Sequence, residues 1–278
     1  MVQALRYKVS PSEISCAFPA LTLVLILSLL VPPPAAAAAA TTQPSPQGPA
    51  EFHPGKKADK RVLIVTGVDY PGHKWRLTTP VLAAGLDKDS RLAVDVVETP
   101  EFLASEKLAD YDVIVMHFMN WEGKPALGED VREGLRKAVA GGKGLVLVHF
   151  ACGAFQGWPQ FAKIAGRAWN PKLRAHDPHG SFRVNITDPN HPITRGLAAF
   201  ETTDELYTCL DGNTPMHVLA AATSKVDNRD YPMAFVLDYG KGRVFHCLLG
   251  HDVKALSEPV CELFRRGAAW AAKLDEKP

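Results

Sequence analysis

From Arg61 onward, short apolar runs alternate with stretches of helical spacing. Residues 62–66 (VLIVT) are apolar on both faces and lead into a loop bounded by Gly67 and Gly72. Residues 78–86 have helical periodicity, residues 92–97 predict a second strand and residues 113–116 a third. A helix follows over 129–140, closed by Gly141 and Gly142, and residues 145–149 predict a fourth strand. Runs that are apolar on both faces belong to parallel strands covered by helices on either side. Their alternation with helices predicts a doubly wound α/β sheet. The second half is less regular. Residues 182–186, 217–222, 233–237 and 243–249 predict strands, 239–242 a turn, 159–165 a helix, and 258–273 a closing amphipathic helix. There is no internal repeat and no second hydrophobic unit, so one domain is expected over about 60–275.

The first forty residues fall outside that pattern. Arg6 and Lys8 precede an apolar run over 20–31, and alanines 35–40 offer A-x-A cleavage sites. This is the layout of an export signal, and the apolar run is short for a membrane span. An uncleaved anchor is the competing reading. Cys16 lies before the run, where a lipoprotein cysteine would follow it. Residues 1–40 are therefore expected to be a signal peptide, and the product exported to a periplasmic or extracellular space with no stable membrane span. Residues 41–59, rich in Pro, Gln, Gly and Lys, read as a disordered linker.

Composition sharpens this picture only slightly. At 46% hydrophobic and 22% charged the chain is globular. With 31 basic and 30 acidic residues it lacks the basic excess of a nucleic-acid binder. Beyond the signal, Cys152, Cys209, Cys247 and Cys261 are too widely spaced for a C-x-x-C site or a dense disulfide framework. A pair could bond in an oxidising compartment, and Cys247 and Cys261 read as buried thiols. Nothing in the sequence sets an oligomeric state.

Ligands of open α/β sheets bind outside the carboxyl ends of the strands. Asp69, Tyr70 and His73 follow the first strand. His117, Asn120 and Trp121 follow the third. His149 and Cys152 follow the fourth, and His251 and Asp252 follow the strand over 243–249. Four strand ends each deliver a histidine, the side chain that titrates near neutrality and binds metals. The loop over 174–180 adds His176 and His179 as an H-x-x-H pair, and residues 203–207 add Asp204 and Glu205 beside Tyr207. An H-x-x-H pair in a loop is more often ordinary hydrogen bonding than a metal site. Cys152 sits where a nucleophile elbow would fall, but Phe150 stands where a small residue is required. There is no G-x-S-x-G, no P-loop lysine and no G-x-G-x-x-G after the first strand.

Taken together and in order, several segments resemble the ThuA-like (trehalose utilisation) family. They are Gly67 to His73, the strand ending at His149, Gly157-Trp158-Pro159, residues 176–180, residues 191–197, residues 204–207 and residues 242–252. The resemblance covers about 61–273. It implies a flavodoxin-like, doubly wound, mostly parallel sheet akin to class I glutamine amidotransferase domains. Members generally lack the amidotransferase triad, and here the late segment carries no His-x-Glu dyad. Cys152 stands where many members carry Thr, Ser or Asp. The resemblance also implies a role in disaccharide use, through sugars oxidised to keto-glycosides.

The expectation is therefore an exported enzyme, a hydrolase or lyase acting on a disaccharide or its keto-derivative. His149, His251, Asp204 and Glu205 would be catalytic. Asp69, His73, His117, Trp121 and Tyr207 would bind substrate. His176 and His179 would hold a divalent metal if one is used, and Trp158 would either stack on sugar or pack in the core. Alternatives are a non-catalytic sugar- or small-ligand-binding domain and an amidotransferase-like hydrolase with Cys152 as nucleophile. The partner is a small carbohydrate, not nucleic acid.

Overall fold

The structure, a computed structural model, describes residues 48–121 and 126–274. The signal expected over 1–40 lies outside the described residues. The chain enters the sheet at β1 (Ala50–Glu51), which pairs antiparallel with β3 (Leu92–Val97). The Phe52 amide then donates to the Val94 carbonyl, and Lys56 Nζ lies 2.8 Å from Asp87. The linker expected over 41–59 thus belongs to the fold from Ala50 onward. A two-residue edge strand is too short to leave a period-two signal.

The parallel strands are β2 (Lys60–Val65), β3, β4 (Val113–Met116), β5 (Gly144–Val148) and β10 (Gly242–Cys247). They lie in the order β3-β2-β4-β5-β10, the flavodoxin-like arrangement. The pleat sends alternate residues to opposite faces. Val62 and Ile64 meet α1 (Trp75–Asp87) and α4 (Glu258–Ala271), through Leu82, Leu86, Leu263 and Phe264. Leu63 and Val65 meet α2 (Glu129–Gly141) and α3 (Pro159–Ala165), through Leu135, Val139, Phe161 and Ile164. Each such fully buried aliphatic side chain contributes about 1.5–3 kcal/mol. The polar exception is Asp95 in β3, which is buried against Arg61 at 2.5 Å and the Tyr111 hydroxyl at 2.7 Å.

Beyond β10 the sheet turns antiparallel through β9 (Asp230–Tyr239), β8 (His217–Thr223), β6 (Gly180–Ile186) and β7 (Phe200–Asp204). Strand β7 was not expected. Its sequence, FETTD, is short and polar, and only Thr202 and Asp204 are buried. It delivers Asp204 and Glu205 to the parallel half. Strand β10 ends two residues early; Leu248 still donates its amide to the Met233 carbonyl, and its own carbonyl oxygen faces His149 Nδ1.

Because β2, β4, β5 and β10 run parallel, their carboxyl ends share one edge. The chain leaves β2 through Gly67 at φ +108°, where a Cβ would lie 2.0 Å from the Glu98 carbonyl oxygen. Only glycine permits that turn. Among the described residues no helix is long and apolar enough to cross a membrane.

Candidate metal centre

Four elements converge at the carboxyl edge. The loop after β2 brings His73, the end of β5 brings His149, the end of β7 brings Glu205, and the loop after β10 brings His251. One ligand atom from each lies within 4.8 Å of all the others, so the cluster could hold a metal ion. Three ring nitrogens are buried without a hydrogen-bond partner: His73 Nδ1, His149 Nε2 and His251 Nδ1. The Glu205 carboxylate lies 3.4 Å from His149 Nε2 and 3.2 Å from His251 Nδ1. The rings meet edge to face, with His73 centred 5.0 Å from His149 and 4.7 Å from His251.

Each candidate ligand is held from behind. His149 has φ +46°, a left-handed conformation that costs a non-glycine residue about 1–3 kcal/mol and that clusters at functional sites. Its Nδ1 lies 2.8 Å from the Leu248 carbonyl oxygen, which can only accept. The proton therefore sits on Nδ1, and the Nε2 lone pair faces the cluster. His73 stacks on Phe150 at 4.5 Å. Asp204, fully buried, accepts the amides of Gly250 at 2.7 Å, His251 at 3.3 Å and Glu205 at 2.8 Å. One carboxylate thus fixes two ligand-bearing loops. Gly250, at φ +113°, allows the chain to turn its amide onto that carboxylate.

The electrostatics of His73 and Glu205 favour ligation. Burial, with the neighbouring His149 ring, pushes His73 down to about 2 and keeps it neutral. Burial works against an ionised Glu205, yet the His149, His251 and His176 rings outweigh it and hold the carboxyl well below the usual range. The adjacent Glu205 carboxylate raises His251, whose proton a binding cation would have to displace. A neutral imidazole and an ionised carboxylate are the forms a metal requires. Imidazole nitrogens with one carboxylate suit a first-row transition ion better than Mg2+ or Ca2+.

The structure redistributes several expected roles. His73, expected at the substrate rim, stands among the possible ligands. His176 and His179, expected to hold metal, sit around them instead. His176 Nε2 is 3.7 Å from the outer oxygen of Glu205, and the His179 ring is 5.1 Å from that of His251. His117 is fully buried, with Thr79 Oγ1 at 2.9 Å from one ring nitrogen and Thr78 Oγ1 at 3.2 Å from the other. Both nitrogens are occupied by α1, so neither is left to receive substrate. Asp204 positions loops and has no exposed surface on which substrate could be met.

Tyr207 is buried and meets the His149 ring edge-on at 4.9 Å, and burial pushes its phenol well up. Cys152 is buried in the α2/α3 layer, and burial pushes its thiol up, away from the thiolate a nucleophile needs. Trp158 is half-buried and packs onto Phe155 and Phe161 at the edge of the core. Asp69 and Trp121 lie further out and are joined by a 3.0 Å bond from Trp121 Nε1 to the Asp69 carbonyl. Cys247 and Cys261 are buried free thiols, as expected.

A flavodoxin-like sheet with three histidines and a glutamate gathered at its carboxyl edge is the class defined by this geometry. The chain belongs to the ThuA family, described as trehalose utilisation, whose family model matches residues 61–271. A ThuA-like protein from Parabacteroides merdae is 25% identical with a TM-score of 0.67, over 80% of this chain and 93% of that one. A ThuA-like protein from Bacteroides uniformis is 18% identical with a TM-score of 0.61, over 79% and 94%. A cytoplasmic protein from Salmonella typhimurium is 15% identical with a TM-score of 0.56, over 77% and 98%. The last two likenesses are of fold alone. No curated protein matches the chain.

Proposed function

We propose that the chain is an exported, metal-dependent enzyme of carbohydrate catabolism, a lyase or hydrolase acting on a disaccharide or its keto-derivative. The carrying observation is the convergence of three buried, unpartnered imidazole nitrogens on one carboxylate. Leaving such groups unpaired costs about 1–3 kcal/mol each, a cost that a bound cation removes. His73 Nδ1, His149 Nε2, His251 Nδ1 and Glu205 would hold the ion. A divalent cation there would supply Lewis-acid polarisation of a sugar ketone or hydroxyl oxygen.

His176 is the acid/base group of this reading. Its Nδ1 donates to the Asp177 carbonyl oxygen at 2.7 Å, which leaves Nε2 as a base facing the hollow beside Glu205. In a keto-glycoside the C–H next to the ketone is acidic. His176 Nε2 takes that proton, and the electron pair moves onto the ketone oxygen. Its return expels the glycosidic oxygen, which leaves with the proton carried by His176. Tyr207, kept protonated by burial, lines the same hollow and offers an O–H donor.

The test is turnover of oxidised and ordinary disaccharides with and without chelator. Chelation should abolish turnover, and added Zn2+ or Mn2+ should restore it. His176→Ala should lower kcat by about 100-fold, within the usual range for an acid/base group, with metal content unchanged. Full activity in metal-free protein, or full activity in His176→Ala, contradicts the reading.

A further inference from the structure

His176 and His179 stand on a loop between α3 and β6 that belongs to no helix or named strand. The loop is nevertheless fixed on two sides. On the inner side it runs antiparallel to residues 206–209, just past Glu205. Cys209 donates its amide to the Arg174 carbonyl at 3.1 Å, Thr208 to that of Ala175 at 2.8 Å, and Asp177 to that of Leu206 at 2.8 Å. This register sets His176 opposite Tyr207 and its Nε2 beside the Glu205 carboxylate.

On the outer side the loop is fastened to the turn between β8 and β9, residues 224–229. Arg174 Nη2 pairs with Asp227 at 2.6 Å, and Lys225 Nζ donates to the Ser181 carbonyl at 2.6 Å. Between them the Asp177 carboxylate accepts Ser224 Oγ at 2.9 Å and the Lys225 amide at 3.0 Å. The turn is a firm support. The Ser224 amide donates to the Arg229 carbonyl, the Asn228 amide to the Ser224 carbonyl, and the Val226 amide to Ser224 Oγ at 3.1 Å. Asp177 and Ser224 are buried, at 5% and 1% exposure. Burial makes a carboxylate a costly fastening. Its two donors and the Arg174 guanidinium, 4.0 Å away, offset that cost in one arrangement of loop and turn.

Asp177 also meets the neighbouring ring through its main chain. Its carbonyl oxygen accepts His176 Nδ1 at 2.7 Å, which selects the tautomer with a free Nε2. Pro178, next in sequence, disfavours helical backbone at Asp177. One residue thus holds the tautomer by its carbonyl, the register by its amide and the loop by its carboxylate. It does not line the hollow itself.

We propose that Asp177 is the positioning residue of His176. Its buried carboxylate, seated on the β8–β9 turn, keeps the carbonyl against Nδ1 and Nε2 aimed beside Glu205. This rests on the reading of His176 as the acid/base group.

A double-mutant cycle and a tautomer spectrum test it together. Asp177→Asn puts an amide where both oxygens accept. It should lower kcat on oxidised disaccharides about 10-fold with KM nearly unchanged, and metal content should match the unaltered chain. Added to His176→Ala it should cause no further loss, because positioning acts only through that ring. In 15N spectra of the histidine-labelled chain at about pH 8, where free imidazole is neutral, His176 should be a single Nδ1–H tautomer. Its signals are assigned by their absence from His176→Ala. In Asp177→Asn both nitrogens should move toward the average of mixed tautomers. Ser224→Ala, which removes one donor, should shift them less in the same direction and serves should Asp177→Asn fail to fold. An unchanged His176 signature in these variants, or an equal kcat loss in the His176→Ala background, overturns the proposal. Full activity in His176→Ala removes the acid/base reading beneath it, and the tautomer spectrum still decides whether Asp177 holds the ring.

Discussion

Two sets of buried imidazoles share this molecule, and they are solved in opposite ways. His117 sits at the end of β4 with both ring nitrogens occupied by Thr78 and Thr79. His149, one strand over, has one nitrogen fixed by a backbone carbonyl and the other left without a partner toward Glu205. His246 is the instructive intermediate. Its Nδ1 donates to the Ala165 carbonyl, and its Nε2 is unpartnered, but its ring neighbour is Phe235. An orphaned nitrogen alone is therefore not a site. What sets the cluster apart is that several orphans point at one another and at an acid. The difference is one of surroundings, since residue type and burial are the same.

The comparison breaks most visibly by truncation. His149→Ala should weaken metal binding by about 100-fold or more, above the usual loss for an outer-shell change. His117→Ala should keep stoichiometric metal and lose about 2–3 kcal/mol of stability, because it leaves a cavity and removes the partner of the Thr79 hydroxyl. Metal content after dialysis and denaturant unfolding read the two outcomes. A His117 variant that loses metal while staying folded would erase the distinction. Asp204→Asn should weaken metal binding by about 10–100-fold, because an amide group disturbs the acceptor set that holds the Gly250, His251 and Glu205 amides. An unchanged metal affinity would reduce Asp204 to packing.

The smallest effect concerns pH. Burial, with the neighbouring His149 ring, holds His117 down to about 3, and burial, with Arg167 nearby, holds His246 down to about 4. Both therefore stay neutral in the fold where the unfolded chain takes up protons. Their contribution to stability is complete above about pH 6.5 and is lost as pH falls toward 4. The slope is about 1.4 kcal/mol per pH unit for each ring. Urea unfolding of metal-free protein between pH 7 and 4.5 should show this decline. His246→Gln should flatten it, whereas a slope identical to that of the unaltered chain would show that His246 is not neutral in the fold.

Much of the parallel half was legible in the sequence because its strands are buried on both faces and leave unbroken apolar runs. The four histidines could be placed at one edge for the same reason, since each follows such a run. The antiparallel half was harder to read. β7 reads as polar because one face meets solvent, so its delivery of Glu205 left no periodic signal. His117 could not be separated from His149 by sequence. The threonines that occupy His117 lie 38 and 39 residues away on a helix. The H-x-x-H spacing does not mark the residues that converge, because proximity along a loop does not aim two rings at a common point. His73 was underestimated because the turn that folds it inward, bridging Tyr70 and His73, is a local contact without a sequence period.

The most direct test is anomalous diffraction from crystals of the chain loaded with Zn2+. The account predicts one strong peak about 2.0–2.2 Å from His73 Nδ1, His149 Nε2, His251 Nδ1 and a Glu205 oxygen. A cluster without a peak, with water or a direct hydrogen bond satisfying His149 Nε2, would contradict it.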